Sequence, residues 1–174
     1  LAHEYVIARM LPFLDDPTVG VVGASRLVPP DAPKFQQRVA KQVARINNPV
    51  VEKALETNPN PPYRATEITT TCAAMRRAVF EETGGFSETL IRGVDTEFFM
   101  RVRELGYRFI LAPQAWTWHP APATLEKLLR KHFLYGLGHA QTTRLRPEMT
   151  RRLERYPLPY LFLRTLMLPF HAFL

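Results

Sequence analysis

The spacing of apolar residues along the chain changes between the helical period and the patterns typical of strands. Helical spacing covers residues 1–14, 34–56 (interrupted at 47–49), 76–82, 95–105 and 124–136, whereas strand-like patterns cover residues 19–24, 67–75, 108–111 and 116–119. The run VGVVGA at 19–24 is short and rich in valine, which is typical of a buried strand. Because helices and strands interleave, the sequence predicts an α/β or α+β fold.

The helix predicted at 95–105 has a clear apolar face, and it ends before Gly106. Its apolar positions are Phe98, Phe99, Val102 and Leu105, which predicts that this face is buried. Glu97 and Arg101 are four residues apart, so we expect an ion pair on the outer side.

Two further stretches have side chains sorted by face. In the helix predicted at 124–136, Leu125, Leu128, Leu129 and Phe133 fall on one side. In WTWH at 116–119, alternation places both tryptophans on one face and Thr117 and His119 on the other. A tryptophan pair of this kind is typical of a core, although it also suits stacking on a sugar.

Composition agrees with one folded domain and adds a strong positive charge. The chain has 174 residues, 46% of them apolar, with 23 Lys and Arg against 16 Asp and Glu, a net charge of +7. This surplus favours an anionic partner, namely nucleic acid, acidic lipid or a phosphorylated small substrate. A single cysteine, Cys72, excludes an internal disulfide and is most simply a small buried residue.

The two ends of the sequence have unusual composition. The chain opens on a helical pattern without an initiator methionine, so we expect it to be a fragment of a longer protein. Residues 151–174 form a basic and apolar tail, in which three prolines break the apolar stretch 156–174. This tail is marginal as a membrane span. It predicts either an interfacial segment or an amphipathic helix packed on the domain or a partner.

Asp95 is the first candidate for chemistry. It follows Gly93 at the start of a predicted helix, where aspartate commonly caps the free backbone N–H groups. A carboxylate in this position stays ionised, as a general base acting on a hydroxyl must be. The two roles are compatible, and the residue alone does not separate them.

His119 is the second candidate. It ends a short strand before the proline-rich turn PAP, so we expect its imidazole to point into a cleft. A lone histidine is more often structural than a metal ligand, and one histidine with one aspartate does not define a metal site.

Several segments together resemble the C-terminal, acceptor-side half of the family 2 nucleotide-sugar glycosyltransferases, which have the GT-A fold. They are TCAAMRRAVFEETGGF at 71–86, GVDTEF at 93–98, the stretch from Pro113 to His119 and LRKHFLYGLG at 129–138. The resemblance spans residues 1–146 and implies a three-layer fold with a mixed sheet flanked by helices. It also implies one glycosyltransferase unit over residues 1–150, followed by the tail at 151–174.

The resemblance implies transfer of a sugar from a nucleotide-sugar donor to an acceptor hydroxyl, with inversion. Asp95 is the implied base, and His119 is the implied ligand of a divalent cation, Mg²⁺ or Mn²⁺. The family's D-x-D, which holds that cation, is expected in an N-terminal half that this sequence lacks, and Asp15-Asp16 does not replace it. We therefore expect this fragment to be inactive alone. Val94 stands where many members have a second acid.

The same resemblance suggests substrate contacts. Thr71 and Cys72 lie in the segment that precedes the acceptor site of the family, and Arg130 and Lys131 lie on the basic helix that follows it. The alternative for Arg130 and Lys131 is a solvated basic face. Arg76 and Arg77 are more simply surface residues than substrate contacts.

The expected partners are a nucleotide-sugar donor, a glycan or lipid-linked acceptor and an anionic membrane surface. We expect a cytoplasmic location at the inner face of the plasma membrane and a role in cell-envelope polysaccharide or glycolipid synthesis. The alternative classes are a non-catalytic domain that binds a membrane surface and one that binds nucleic acid. No recognised nucleic-acid-binding motif is present in the sequence, so nucleic acid is not expected as a partner.

Overall fold

The computed structural model describes residues 4–42, 50–57 and 68–147. Within these ranges the helices are α1 (Val6–Met10), α2 (Lys34–Gln42), α3 (Arg77–Glu82), α4 (Val94–Glu104) and α5 (Leu125–Leu145), with a 3-10 helix at Leu11–Asp15. The strands are β1 (Val19–Leu27), β2 (Leu55–Glu56), β3 (Ala73–Met75) and β4 (Arg108–Trp118). The tail at 151–174 lies outside the described residues.

The described strands form one mixed sheet in the order β2-β4-β1-β3. The central strands β1 and β4 run parallel, and the outer strands β2 and β3 each pair antiparallel to their neighbour. Helices flank this sheet, so the predicted α/β class is confirmed.

Alternate residues of the central strands face two separate layers of helix. Val22 and Ile110 belong to a buried cluster with Met10 of α1. Val21 and Phe109 belong to the cluster that holds Phe98, Phe99 and Val102 of α4. Because β1 is covered on both faces, almost all of its residues are buried, which explains its continuous apolar run.

Two stretches predicted as separate strands, 108–111 and 116–119, join in the single strand β4. Gly23 pairs with Leu111 and Ser25 pairs with Trp116, so β4 bulges between these points. Gln114 lies in the bulge with φ of 54°, a left-handed conformation that non-glycine residues rarely adopt. The sequence pattern did not reveal that the bulge keeps both halves beside β1.

The prediction of a helix over residues 34–56 is wrong at residues 55–56. Helix α2 is described over Lys34–Gln42, and Leu55–Glu56 forms an edge strand against β4. The Thr57 N–H also donates to the Phe109 carbonyl at 2.9 Å. Pairing with the sheet satisfies the backbone N–H and C=O groups of this segment. The spacing of apolar residues does not predict such pairing. The strand predicted at 67–75 is likewise shorter, because only Ala73–Met75 pairs with β1.

Helix α4 agrees with its predicted face at three of four positions. Phe98, Phe99 and Val102 are buried, whereas Leu105 is 46% exposed, so its predicted burial is wrong. Leu105 is the C-cap residue, directly before Gly106. The chain leaves the helix there and does not cover the Leu105 side chain.

The ion pair of Glu97 with Arg101 forms as predicted, but it is not on the outer side. Glu97 is only 7% exposed, and its two carboxylate oxygens accept from Arg101 at 2.9 and 2.8 Å. Arg101 also donates to the carbonyls of Thr83 and Gly85. The pair therefore ties α4 to the turn after α3.

Helix α5 is longer than the predicted 124–136, and it runs through both Gly136 and Gly138. Gly138 is buried where α5 crosses the segment before α4, and a Cβ there would lie 2.4 Å from the Cβ of Arg92 and 2.7 Å from its carbonyl oxygen. Around Gly136, in contrast, nothing lies within 4 Å of such a Cβ. Gly138 therefore allows close helix packing, while Gly136 has no contact that requires glycine.

We expect alanine to have opposite effects at these two glycines. Gly138→Ala should lower the free energy of unfolding by about 1–3 kcal/mol, because the new methyl group meets backbone that must shift. Gly136→Ala should raise it by up to about 1 kcal/mol, because alanine favours the helix over glycine. Urea unfolding of both variants measures the difference. Equal effects at both positions would contradict the close contact at Gly138.

Candidate functional site

Asp95 lies in the first turn of α4 and is half-buried. The N-cap residue is Gly93, with φ of 76°, so the N-cap role considered for Asp95 is wrong. The Asp95 carboxylate accepts a hydrogen bond from the Thr96 N–H at 3.0 Å. Asp95 therefore lies near the positive end of the helix dipole, although it is not the N-cap residue.

Tyr135 of α5 lies close enough to Asp95 to be affected by its charge. The pKa of the Tyr135 hydroxyl is raised, first by burial and then by the Asp95 carboxylate, while the charges of Arg92 and Arg26 act in the opposite direction. The Asp95 carboxylate of α4 and the Tyr135 phenol of α5 therefore interact electrostatically.

His119 and Lys131 belong to the same region. His119 follows β4, and its N–H donates to the Leu27 carbonyl at 2.7 Å. The pKa of His119 is lowered by burial and then by the positive charges of Lys131 and Arg26. The pKa of Lys131 is also lowered, first by burial and then by Arg26 and Arg92.

We call Arg26, Arg92, His119 and Lys131 the basic cluster. Its members come from the end of β1, the segment before α4, the end of β4 and the middle of α5. Arg26 is only 8% exposed, which is unusual for arginine. Arg26 and Lys131 disfavour the protonated form of His119, and Arg26 and Arg92 disfavour that of Lys131, so an anionic ligand would be favoured here. The cluster is therefore suited to bind a phosphate-like anion beside Asp95.

Sequence reasoning missed Arg26, Arg92 and Tyr135. The predicted strand at 19–24 stopped before Arg26, which lies on its continuation. Arg92 directly precedes the GVDTEF motif, and Tyr135 lies within LRKHFLYGLG, so both were adjacent to recognised segments. No local pattern places them together, because their proximity depends on how α5 packs.

An open depression of about 360 Å³ lies beside the cluster. His119, Lys127 and Lys131 line it together with Gln36 of α2 and the turn that precedes α5. Lys127 and Lys131 give this depression positive charge. Its volume is at the lower end of the range for small-molecule sites.

The described part of the chain does not form a metal site by itself. Among residues 4–42, 50–57 and 68–147, no three His, Cys, Asp or Glu side chains come together to hold a metal ion. The positive charges of Lys131 and Arg26 also disfavour a metal cation at His119. His119 as a metal ligand stays a prediction, and it requires acidic ligands from elsewhere.

The structure separates the two basic residues predicted to contact substrate. Arg130 is exposed, in keeping with a solvated face, whereas Lys131 is half-buried and lines the depression. Trp116 and Trp118 share one face as predicted, with their ring centroids 4.6 Å apart. Both are half-buried.

Thr71 and Cys72 lie before β3, and the Cys72 carbonyl accepts from the Ala24 N–H of β1 at 3.1 Å. Thr71 is exposed and accepts a hydrogen bond from the Thr69 hydroxyl at 3.1 Å. Cys72 packs against the buried cluster on the α1 side of the sheet, and burial raises the pKa of its thiol. The predicted acceptor contacts of these residues stay predictions.

Several charged side chains have structural roles. Arg76 donates to the carbonyls of Leu14, Asp16 and Pro17 at 2.8, 2.9 and 2.8 Å, so it holds the end of the 3-10 helix. Asp16 accepts from the Thr18 hydroxyl at 2.7 Å and pairs with Arg108 at 3.2 Å. Arg77 forms an exposed ion pair with Glu81.

We expect Lys131→Met to raise the pKa of His119, because it removes a positive charge that disfavours protonation. Burial remains, so the pKa should stay below the ordinary 6.5. Histidine NMR titration measures it. Lys127→Met is the matched control: it also lines the depression but does not affect this pKa, so no change is expected. An unchanged His119 pKa in Lys131→Met would disprove the proximity.

Comparisons with known proteins do not identify a family for this chain, so its class is given by its architecture alone. The described residues define an α/β protein with a four-stranded mixed sheet flanked by helices. No protein-family model matches the chain, and no curated protein matches it significantly. Among the described residues, no helix has the length and apolar character needed to cross a membrane.

Proposed function

We propose that this chain is the acceptor-side part of a family 2 nucleotide-sugar glycosyltransferase with the GT-A fold. The observations that carry the proposal are the half-buried Asp95 in the first turn of α4, the packing of α5 on the segment before α4, and the depression that Lys131 of α5 lines together with His119. A carboxylate suits proton removal from an acceptor hydroxyl, and a cluster of cations suits the diphosphate of a nucleotide sugar. The motif order from Gly84 to Gly138 supports the same reaction.

In the proposed reaction, Asp95 takes the proton of an acceptor hydroxyl while that oxygen forms a bond to the anomeric carbon. The bond between the anomeric carbon and the donor's diphosphate breaks, and its electron pair leaves with the diphosphate. Attack from the side opposite the leaving group inverts the configuration. The Thr96 N–H that donates to the Asp95 carboxylate holds this side chain at the start of α4, where it is half-buried.

The basic cluster is proposed to bind phosphate oxygens of the substrates. Lys131 is the best-placed member predicted from the sequence, because it lines the depression and is affected by both Arg26 and Arg92. Arg26 and Arg92 are added on structural grounds. Arg130 is exposed and is the weaker candidate of the two basic residues on α5.

The family resemblance also implies Mg²⁺ or Mn²⁺, held by a D-x-D in a preceding nucleotide-binding half and by His119. Such a cation, when bound, stabilises charge on a departing diphosphate. His119 is suited to this role in one respect, because its lowered pKa keeps the imidazole neutral at pH 7, the form that binds metals. The proposed acceptor is a glycan or a lipid-linked sugar at the inner face of the plasma membrane.

A transfer assay tests the proposal. The protein translated from the complete reading frame is incubated with nucleotide sugars labelled in the sugar, one at a time, and with cell-envelope membranes as acceptor. We expect label to pass from one donor to the membrane fraction, with inverted configuration in the product. A folded protein that transfers no label from any donor would overturn the proposal.

Nucleic-acid binding is the alternative that the +7 charge leaves open. The proposal predicts only weak, salt-sensitive binding of short DNA or RNA in a gel-shift assay. Tight binding that persists at physiological salt, together with no sugar transfer, would favour this alternative.

A further inference from the structure

Helix α5 presents a row of large apolar side chains to solvent. The row consists of Leu125, Leu129, Phe133 and Leu137, which are 59%, 61%, 68% and 42% exposed. Residues four apart lie on the same side of a helix, so these side chains form one stripe, about 18 Å long. We call it the outward stripe. The sequence pattern placed three of them, Leu125, Leu129 and Phe133, on one side of the predicted helix, but a pattern does not show whether such a face is covered.

The opposite side of α5 is held by the domain, so the outward stripe cannot simply rotate inward. Gly138 and Thr142 are buried, and Gly138 packs directly on Arg92. Leu128 packs against a cluster formed by α2 and Ala121. Single exposed leucines are ordinary on protein surfaces, whereas a continuous apolar row on a fixed helix marks an interaction surface.

The charges on α5 indicate which partner the stripe suits. The helix carries Lys127, Arg130, Lys131 and Arg144 but only one acid, Glu126. Arg130 and Arg144 are exposed and lie toward the side of the stripe, whereas Lys127 lines the depression. Leucine and phenylalanine beside exposed basic residues are typical of helices that lie in the headgroup region of an anionic bilayer.

The sequence after α5 continues the same composition. Arg151, Arg152 and Arg155 follow, and then the apolar stretch 156–174. Basic residues near a membrane surface add to the attraction for anionic lipid. The positive charge is therefore concentrated at the end of the chain to which the outward stripe belongs.

We propose that the outward stripe of α5, with its exposed basic neighbours, binds the surface of an anionic lipid bilayer. The occupant is the lipid surface itself, with the apolar side chains in the headgroup region and the basic side chains on lipid phosphates. This proposal does not rest on sugar transfer, because lipid binding requires no donor, acceptor or metal. Lipid binding by α5, in addition to any binding by the tail, would then place the protein at a membrane.

Vesicle flotation with the complete chain tests this surface. We expect binding to phosphatidylcholine vesicles that contain about 30% phosphatidylglycerol and little binding to phosphatidylcholine alone. The double variant Leu129→Gln/Phe133→Gln should lower the partition coefficient by at least about tenfold, because two large apolar groups leave the bilayer. Both positions are exposed, so circular dichroism should show an unchanged fold.

The matched control removes apolar groups of similar exposure elsewhere. Ile7 and Leu11 are 65% and 51% exposed on the first two helical segments, so Ile7→Gln/Leu11→Gln should bind vesicles like the wild type. Three results would overturn the proposal. They are wild-type binding by the α5 variant, equal binding to neutral vesicles, and a stripe-dependent dimer in sedimentation that binds no vesicles. Any of these can occur whether or not sugar transfer is found, so the two proposals are tested separately.

Discussion

Asp95→Asn should lower the turnover of sugar transfer in the complete enzyme by about 100- to 10,000-fold, the usual contribution of a positioned general base. Asparagine has nearly the same shape and still accepts the Thr96 N–H, so the start of α4 should be unchanged. It cannot take a proton from an acceptor hydroxyl. Affinity for the nucleotide sugar should therefore stay close to that of the wild type.

The control for this variant is Glu126→Gln, which removes an exposed acid from α5 without affecting the groups around Asp95. It should transfer sugar normally. A second measurement needs no activity at all. Because the Asp95 charge raises the pKa of Tyr135, Asp95→Asn should lower that pKa in tyrosine NMR titration. Unchanged turnover would reject Asp95 as the base, and an unchanged Tyr135 pKa would reject their proximity.

The second large effect is expected at Arg101. Arg101→Met should lower the free energy of unfolding by about 3–5 kcal/mol, because it leaves the buried Glu97 without its main partner. Two carbonyls, those of Thr83 and Gly85, lose a donor at the same time. Arg146 remains near Glu97 at 3.7 Å, which offsets only part of this cost. Urea unfolding measures the loss.

The chain offers a matched control with the same spacing. Arg77 and Glu81 are also four residues apart, but their side chains are 90% and 63% exposed. Arg77→Met should therefore cost less than about 1 kcal/mol, as exposed pairs usually do. The double variant Glu97→Met/Arg101→Met should recover part of the loss, because it removes the unpaired buried charge as well. If Arg101→Met and Arg77→Met cost the same, burial is not what makes the Glu97 pair important.

Local elements were predictable where the chain contains its own boundary signals. Helix α4 begins after Gly93 and ends before Gly106, and both glycines have positive φ. Apolar spacing identified Phe98, Phe99 and Val102 as its buried face. The core of β1 was equally clear, because a run of valines between polar segments suits a strand covered on both faces.

Errors occurred where the neighbours of a segment decide its structure. Residues 55–56 read as part of a helix, yet they form a strand because β4 offers an edge to pair with. The apolar residues predicted on one side of α5 differ in burial: Leu128 packs on the domain, whereas Leu125, Leu129 and Phe133 are exposed. Helical spacing shows that a face is apolar, but only the contacts of the folded chain show whether it is covered.

By itself the sequence determined the α/β class, the central strand β1, helix α4 with Asp95 in its first turn, and the excess of positive charge. The tertiary structure decided which charges meet. Arg26, Arg92, His119 and Lys131 are far apart along the chain, and they converge because β1 and β4 pair in parallel and α5 packs on Arg92 through Gly138. Spacing encodes contacts within one element, whereas the basic cluster and the outward stripe depend on packing between elements.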